Sequence, residues 1–370
     1  MADSQLSLSD NDLGKEPAEI PTAGSLPKLS LSDVAIVILN YNGAHFLRKF
    51  LPGVLAHAAG ARVVVADNAS TDDSRALLQQ EFPQVEQLLF TENLGFCEGY
   101  NQALARLDSP FFVLLNSDVA VLPGWLPPLY ALLQANPRIA AAQPKILAYD
   151  NPTLFEYAGA GGGYLDELAY PFCRGRLFDT LETDAGRYDD PRPVAWASGA
   201  CCLVRATAWR EVGGFEPAFF AHMEEIDFCW RAQNAGYEIW YHGGGTVQHV
   251  GGGTLPKSNP RKTYLNFRNG LALLFKNAAP GELAAFFILR VLLDWVAGLR
   301  FLLAGNWPEA RAVGRAHLHF FTRLGYWRRR RQLARPRLLA SERPGTYRGS
   351  VVWAYFGQSK KLFSQLVGSK

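Results

Sequence analysis

Residues 34–43 read VAIVILNYNG, six apolar residues of which four are β-branched, followed at once by a polar, turn-forming NYNG. An apolar run this short and unbroken is a strand buried on both faces. Such strands belong to parallel sheets covered by helices. Three more runs repeat the pattern: RVVVA at 62–66, QLLF at 87–90 and FFVLL at 111–115, each ending in a polar turn, DNAS, TENLG and NSDV respectively. Helix-length segments separate them, which predicts βαβ units and an α/β fold with a mainly parallel sheet. In an open sheet of this kind the ligand crevice lies beyond the strand C-termini, so the four polar turns are expected to line one site.

The chain has 370 residues, 48% of them hydrophobic, with a net charge of +3. That is ample for a large core and argues against disorder. Residues 1–32 are polar and carry no basic start followed by an apolar stretch, so they read as a disordered tail. Five cysteines without a C-x-x-C pair point to reduced core thiols in the cytoplasm. The organised region is expected over 33–277, with a helical extension over 278–370. Within the first region, 151–193 is a long stretch rich in Gly, Pro and aromatics, expected to be a packed binding loop. Strand-like VAWAS (194–198), ACCLV (200–204), YEIWYH (237–242) and TVQHV (246–250) follow, with a helix over 224–234 between them, and everything after Pro260 reads as helix.

Between Gly281 and Arg337 there are eleven Arg against Glu282, Asp294 and Glu309, an excess of +8. ELAAFFILRVLLDWVAGLRFLLAG (282–305) is long and apolar, but Arg290, Asp294 and Arg300 interrupt it on one side. A polar stripe with an apolar remainder suits a helix lying in a membrane interface better than one crossing it. The Arg, Trp, Tyr and Phe that follow are the mixture expected on anionic headgroups. A membrane surface is therefore the expected partner, with a helical cap bearing a solvated Arg face, or a nucleic-acid patch, as the alternative.

Three strand-end residues carry candidate chemistry. Asp67 either accepts from a base N–H or caps the next helix. Asn93, just before Gly95 and a helix N-terminus, is placed for ribose or phosphate oxygens. Asp118 follows a buried strand, where a lone carboxylate is costly without a cation. A hard ion such as Mg²⁺ or Mn²⁺ takes one or two protein ligands, and His249, at another strand end, is the second candidate. In FFAHMEEIDFCWR (219–231), Glu224, Glu225 and Asp227 either open a helix or supply a base. Glu225 shares a face with Phe228, Cys229 and Ala232, which should turn toward the cleft, and the N-terminal dipole should keep it ionised. Asp227 points the other way, with Arg231 at i+4, and reads as a surface ion pair.

The ordered series VAIVILNYNG, DNASTDDS, NLGF, LLNSDV, GGF, MEEIDFCWR and HVGGGT resembles the family 2 glycosyltransferases, inverting enzymes of the GT-A fold, and in particular their bacterial rhamnosyltransferase-like branch. The resemblance spans about 34–277. It implies that Tyr41 and Asp67 hold a nucleoside, Asn93 and Asn116 the ribose and diphosphate region, and Asp118 with His249 a Mg²⁺ or Mn²⁺ ion, with Glu225 as base and Glu224 beside it. Related bacterial sequences share YPFCRGR, whose Arg174 and Arg176 would clamp an acceptor phosphate. Two departures stand out: the usual Asp-x-Asp is Asn116-Ser117-Asp118, and the usual Glu-Asp pair is Glu224-Glu225.

The implied reaction transfers a sugar, rhamnose among the candidates, from a nucleotide diphosphate donor to a lipid-linked or cell-surface saccharide at the inner face of the cell membrane. The alternative from another class is a degenerate nucleotide-sugar-binding scaffold. A dinucleotide-dependent dehydrogenase is disfavoured, since NYNGAH is not G-x-G-x-x-G.

Overall fold

A computed structural model describes residues 31–251, 259–334 and 338–367. The four expected strands are β1 (Val34–Asn40), β2 (Arg62–Asp67), β3 (Glu86–Leu89) and β4 (Phe111–Asn116), paired in parallel in the order β4-β1-β2-β3. Helices α1 (Ala44–Ala56), α2 (Ser74–Glu81) and α3 (Gly95–Ala105) make the crossovers. Alternate strand residues feed two cores. Ile36, Ile38, Val63 and Val65 pack with Leu47 and Leu51 of α1 and Leu77 of α2, whereas Val37, Val64 and Ala66 pack with Tyr100 and Leu104 of α3. The unbroken apolar runs are thus accounted for, because both faces of the sheet are covered.

The sheet continues beyond β4. After β5 (Val119–Val121) and α4 (Pro127–Ala135) comes β6 (Ile139–Ala148), a ten-residue strand that the sequence pattern did not announce. Its IAAAQPKILA is alanine-rich and contains Pro144, both poor strand signals, and tertiary burial overrides them. Residues 151–193 are not simply a loop. They build a second sheet from β7 (Gly163–Asp166), β8 (Pro171–Cys173), β9 (Arg176–Leu177) and β10 (Thr180–Leu181). Short β11 (Arg192–Pro193) then returns to the main sheet, and VAWAS contributes only an isolated bridge from Trp196 to Gly163. β12 (Cys201–Arg205) inserts antiparallel between β4 and β6, followed by α5 (Ala206–Val212) and α6 (Glu224–Asn234). The two strands expected near 240 are one, β13 (Glu238–His249), with a register shift between His242 and Thr246. All five cysteines are free and buried, as expected.

The C-terminal region begins with α7 (Pro260–Asn277), α8 (Pro280–Leu303), α9 (Trp307–Thr322) and α10 (Leu324–Ala334). It is not helical throughout. β14 (Thr346–Tyr347) turns back to pair with β7, and α11 (Phe363–Val367) buries Phe363 against Tyr164 and Phe172 of the second sheet. No described helix is long and apolar enough to cross a membrane.

Two findings about buried charge bear on the periodicity reading, and the second corrects it. In α8 the polar stripe faces the protein: Arg290 and Asp294 are buried and paired at 2.9 Å, Arg290 donates to Leu168 O, and Tyr170 donates to Asp294 at 2.7 Å. The apolar remainder faces outward, with Leu292 57%, Val296 62% and Leu303 79% exposed. Arg330 and Arg331 of the basic run also turn inward, the first onto Glu216 at 2.6 Å and the second onto the carbonyls of Phe275 and Ala278. Arg335 and Arg337 lie outside the described residues, as does nearly all of the expected N-terminal tail.

The second concerns Asp227. It is wholly buried, not on the surface, and its pair with Arg231 at 2.8 Å belongs to a cluster. Lys276 of α7 lies 3.0 Å from Asp227 and 2.9 Å from Glu216, and Asn277 donates to Asp227 at 2.8 Å. α6 is buried on nearly all sides, so a helical-wheel argument that gives it a wet face fails. Burial by itself pushes the Asp227 carboxyl up, but Lys276 and Arg231 outweigh it and hold the group well below the ordinary carboxylate range. A depressed folded-state pKa contributes stability above the unfolded value near 4, and that contribution is lost as the pH falls toward the folded value. Asp227→Ala, which removes a shared carboxylate from two buried cations, should cost about 3–5 kcal/mol in urea unfolding at pH 7. A loss under 1 kcal/mol would show that the cluster is not what holds α6 to α7.

Candidate active site

The polar turns at the ends of β1, β2 and β4 meet as the parallel topology requires. Tyr41 is 46% exposed at the mouth of the crevice. Asp67 is buried. Its carboxylate accepts from Arg75 Nε at 2.7 Å, from Ser70 N at 3.1 Å and from Asn40 Nδ2 at 3.2 Å, so in this state it organises the turn. The sequence reading missed Asn68, whose amide donates to Asn93 Oδ1 at 3.1 Å and to Gly95 O at 3.0 Å, and whose Oδ1 accepts from Leu94 N at 2.9 Å. A second Asx residue directly after the strand-ending Asp was the available signal. Asn93 is exposed and accepts from Gly95 N at 2.9 Å. The N-terminus of α3 is closed off internally: Phe96 N and Cys97 N both donate to Phe220 O, at 3.0 and 3.3 Å. Gly95, at φ +74°, lets the Phe220 ring lie against its α-carbon, where a methyl group would come within 2.7 Å of the ring.

Asp118 and His249 are brought together by strand register. β5 pairs antiparallel with β13 so that Val119 faces His249, and His249 Nε2 comes to 3.2 Å from Asp118 Oδ1. On the other side of the ring, Glu156 Oε2 lies 3.2 Å from Nδ1, but off the line of a hydrogen bond. Burial lowers the affinity of this imidazole for a proton, yet the two carboxylates prevail and push its pKa up to about 10. Glu156, in the stretch read as a loop, carried no sequence signal. Asn116 ends β4, and its N–H donates to Ala200 O at 2.9 Å.

Arg174 and Arg176 are both buried, not exposed for an incoming phosphate. Arg174 is buried, bonded to Gly161 O at 2.9 Å and to Asp190 at 3.0 Å, and stacked on Tyr188 and Tyr241. Arg176 is buried beneath Tyr157, with its guanidinium carbon 3.8 Å from the ring centroid. Arg174 is thereby committed to internal partners of the second sheet, and Arg176, at the start of β9, is buried with it.

Glu224 and Glu225 open α6 behind an unusual backbone. Phe220, His222 and Met223 all have left-handed φ, at 65°, 68° and 71°. Such residues cost of order 1–3 kcal/mol each and persist only when their surroundings hold them. α7 supplies the clamp. Asn269 Nδ2 lies within hydrogen-bond distance of Phe219 O, Ala221 O and His222 O, at 3.1, 2.9 and 2.8 Å. Arg268 donates to Ala218 O at 2.8 Å and to Phe219 O at 3.0 Å. The result is a fixed approach of α6 to the sheet. Glu225 Cβ lies close to Gly199, in the turn that Asn116 engages.

Glu224 is buried, Glu225 only partly so, and each has an Oε2 without a hydrogen-bond partner among the described residues. Burial raises both carboxyls. Glu225 is pushed up to about 7, and Glu224 goes well above the ordinary range because the charge of Glu225 adds to its desolvation. Desolvation therefore outweighs the helix dipole that was expected to keep Glu225 ionised. Asn269→Ala should release the clamp. We expect a stability loss of ~1–3 kcal/mol and faster hydrogen exchange at 219–223. Unchanged exchange there would show that the loop holds itself.

The family described as Glycosyl transferase family 2 matches residues 35–205. An N-acetylglucosaminyl-diphospho-decaprenol L-rhamnosyltransferase of Mycobacterium tuberculosis is 29% identical over 229 residues, 58% of this chain and 75% of that protein. A rhamnosyltransferase of Escherichia coli is 24% identical over 217 residues, 56% of this chain and 80% of its own. Among solved structures, GalNAc-T7 with UDP, GalNAc and Mn²⁺ superposes with a TM-score of 0.51 at 14% identity, covering 67% of this chain and 48% of that one, a likeness of fold. The matched region contains the strand-end turns just described: the chain has the fold of the GT-A glycosyltransferases, and its residues 35–205 match the family 2 glycosyltransferases.

Proposed function

We propose that the chain transfers a sugar, rhamnose the first candidate, from a nucleotide diphosphate donor to a lipid-linked saccharide hydroxyl, with inversion, at a membrane surface. The observation that carries this reading is the pair of orphaned carboxylate oxygens on Glu224 and Glu225, held by a clamped loop at the crevice where the strand-end turns meet. Similarity to rhamnosyltransferases, one of them named for a diphospho-decaprenol substrate, supports the choice of sugar and acceptor.

Glu225 is the base. With a pKa near 7 it is substantially ionised at neutral pH yet basic enough to take a hydroxyl proton. Burial and the charge of its neighbour raise the proton affinity of Glu224 further, so two adjacent carboxyls are set apart for different roles. Tyr41, Asn93 and Asn116 line the donor side of the crevice, and Asp67 shapes it from below.

Asp118 and His249 fit a divalent cation, which would take the place of the proton that Asp118 and Glu156 otherwise favour on the imidazole. The donor atoms of Asp118 and His249 are 3.2 Å apart, close to the roughly 3 Å separating neighbouring ligands of an octahedral ion with bonds of ~2.1 Å. Glu156 addresses the opposite ring nitrogen, and no three such side chains among the described residues form a complete metal cage. The ion's remaining ligands would come from donor phosphates and water, and its chemistry would be neutralisation of the departing diphosphate. Asn116 in place of a carboxylate keeps the site's charge low.

The outward face of α8 supports the membrane assignment. Ile288, Leu292, Trp295, Val296, Leu299 and Leu303 form one exposed stripe beside exposed Arg300. A contiguous apolar face of this kind is costly in water and suits the headgroup boundary.

Three outcomes check the reading. Glu225→Gln should lower kcat by ~10²–10⁴ with donor affinity little changed, and the wild-type kcat should rise with pH through about 7, because the protonated carboxyl cannot act as a base. A flat wild-type profile, or an inactive Glu224→Gln beside an active Glu225→Gln, would move the base elsewhere. Asp118→Ala should abolish turnover that EDTA also abolishes, while EDTA-insensitive turnover would remove the metal from the reading. Leu292→Glu with Val296→Glu should abolish flotation with anionic vesicles while leaving the melting temperature unchanged. Undiminished flotation would place the membrane contact elsewhere.

A further inference from the structure

Outside the crevice, a cleft of about 710 Å³ opens between the first turns of α7 and α9. Its walls include Arg261, Tyr264, Trp307, Arg311 and Arg315 and contain no carboxylate. The volume is typical of a ligand site. None of the three arginines forms an ion pair among the described residues, although the buried Arg174, Arg231 and Arg290 all do. Arg311 and Arg315 stand at i and i+4, one above the other on the same helix face, where like charges repel unless an anion lies between them.

The surroundings of the cleft connect it to two features already described. Arg261 lies 5.0 Å from the centroid of the Phe220 ring, and Phe220 leads through the clamped loop to Glu225. On the other side, Trp307 is 68% exposed and follows Leu302 and Leu303, the end of the apolar stripe on α8. The cleft is thus joined through Phe220 and its loop to the segment bearing the candidate base, and through Trp307 along the chain to the apolar end of α8. A lipid-linked acceptor has that order of parts: a sugar hydroxyl, a diphosphate and a long apolar chain.

We propose that this cleft is the acceptor's diphosphate subsite, with Arg261, Arg311 and Arg315 binding the phosphoryl oxygens and the lipid leaving past Trp307 along α8. This rests on the lipid-linked acceptor assigned under Proposed function. Guanidinium groups suit it, because each presents two parallel N–H donors to a phosphate and sheds water more easily than an ammonium. The first-turn positions of Arg261 and Trp307 place the helix dipoles of α7 and α9 in the same sense.

The test is flotation of the full chain with three vesicle types: phosphatidylcholine alone, phosphatidylcholine with an isoprenyl diphosphate, and phosphatidylcholine with phosphatidylglycerol at matched charge. Wild-type protein should bind the diphosphate vesicles at roughly tenfold lower lipid than the charge-matched ones, and R311Q/R315Q should lose that preference. R328Q/R329Q, at exposed arginines of α10 outside the cleft, should keep it, and thermal melting verifies that each variant is folded. Equal wild-type binding to both anionic vesicles, binding to neither, or a preference that survives R311Q/R315Q would each overturn the subsite. Donor hydrolysis by the wild type, measured separately, distinguishes this from failure of the transferase reading. A diphosphate preference without donor hydrolysis would leave the cleft standing and remove the reaction.

Discussion

Lys276 is a buried ammonium between two buried carboxylates, Glu216 and Asp227, and the active region depends on that arrangement. A buried charge of this kind is tolerated only when its partners are in place, so the cluster is stable in one arrangement of its elements and costly in others. Glu216 stands just before the clamped loop, Asp227 is one turn into α6, and Lys276 is near the end of α7. Arg330 and Tyr326 add α10 through Glu216, at 2.6 and 2.5 Å. Four segments distant in sequence are thereby held in one geometry. The helix that carries Glu224 and Glu225 cannot shift without breaking the cluster.

The C-terminal helices are consequently part of the site's architecture and not an appendage. α7 supplies Lys276 and Asn277 to the cluster and Arg268 and Asn269 to the clamp, and its first turn supplies Arg261 and Tyr264 to the cationic cleft. α8 uses its charged stripe to dock on the second sheet, through Arg290 and Asp294 against Leu168 and Tyr170. With Arg290 and Asp294 turned inward, the face left to solvent is mostly apolar, with Arg300 at its edge. The apolar stripe is exposed because buried ion pairs decided which side faces in.

Strained backbone and perturbed acids occur together here. Three left-handed residues precede two carboxyls whose proton affinities are raised by burial. Strain of this kind persists where neighbouring hydrogen bonds compensate it, and those bonds come from a helix more than forty residues downstream. The same economy appears at Asp118 and His249, where an antiparallel strand pair sets the separation of the two donor atoms. In both places a long-range contact fixes a short-range geometry.

Local pattern sufficed for the first four strands, their polar turns, α6 and the buried cysteines, because apolar periodicity and turn chemistry are properties of neighbouring residues. The ordered motifs likewise carried the glycosyltransferase resemblance. Pattern failed where burial was decided by partners far away in sequence. The alanine-rich β6 became a strand because β12 and β13 flank it. Arg174 and Arg176 looked like phosphate ligands and are cations of the second sheet. Asp227 looked like half of a surface pair and is the centre of a buried cluster. Asn68, Glu156 and Asn269 carried no periodic signal at all, since each acts through a few specific hydrogen bonds or contacts and not through a repeat. The sequence by itself determined which segments are strands and helices and where polar turns gather. Only the tertiary structure decided which charges are internal and which apolar faces remain in water, because desolvation depends on everything packed around a group and not on its neighbours in the chain.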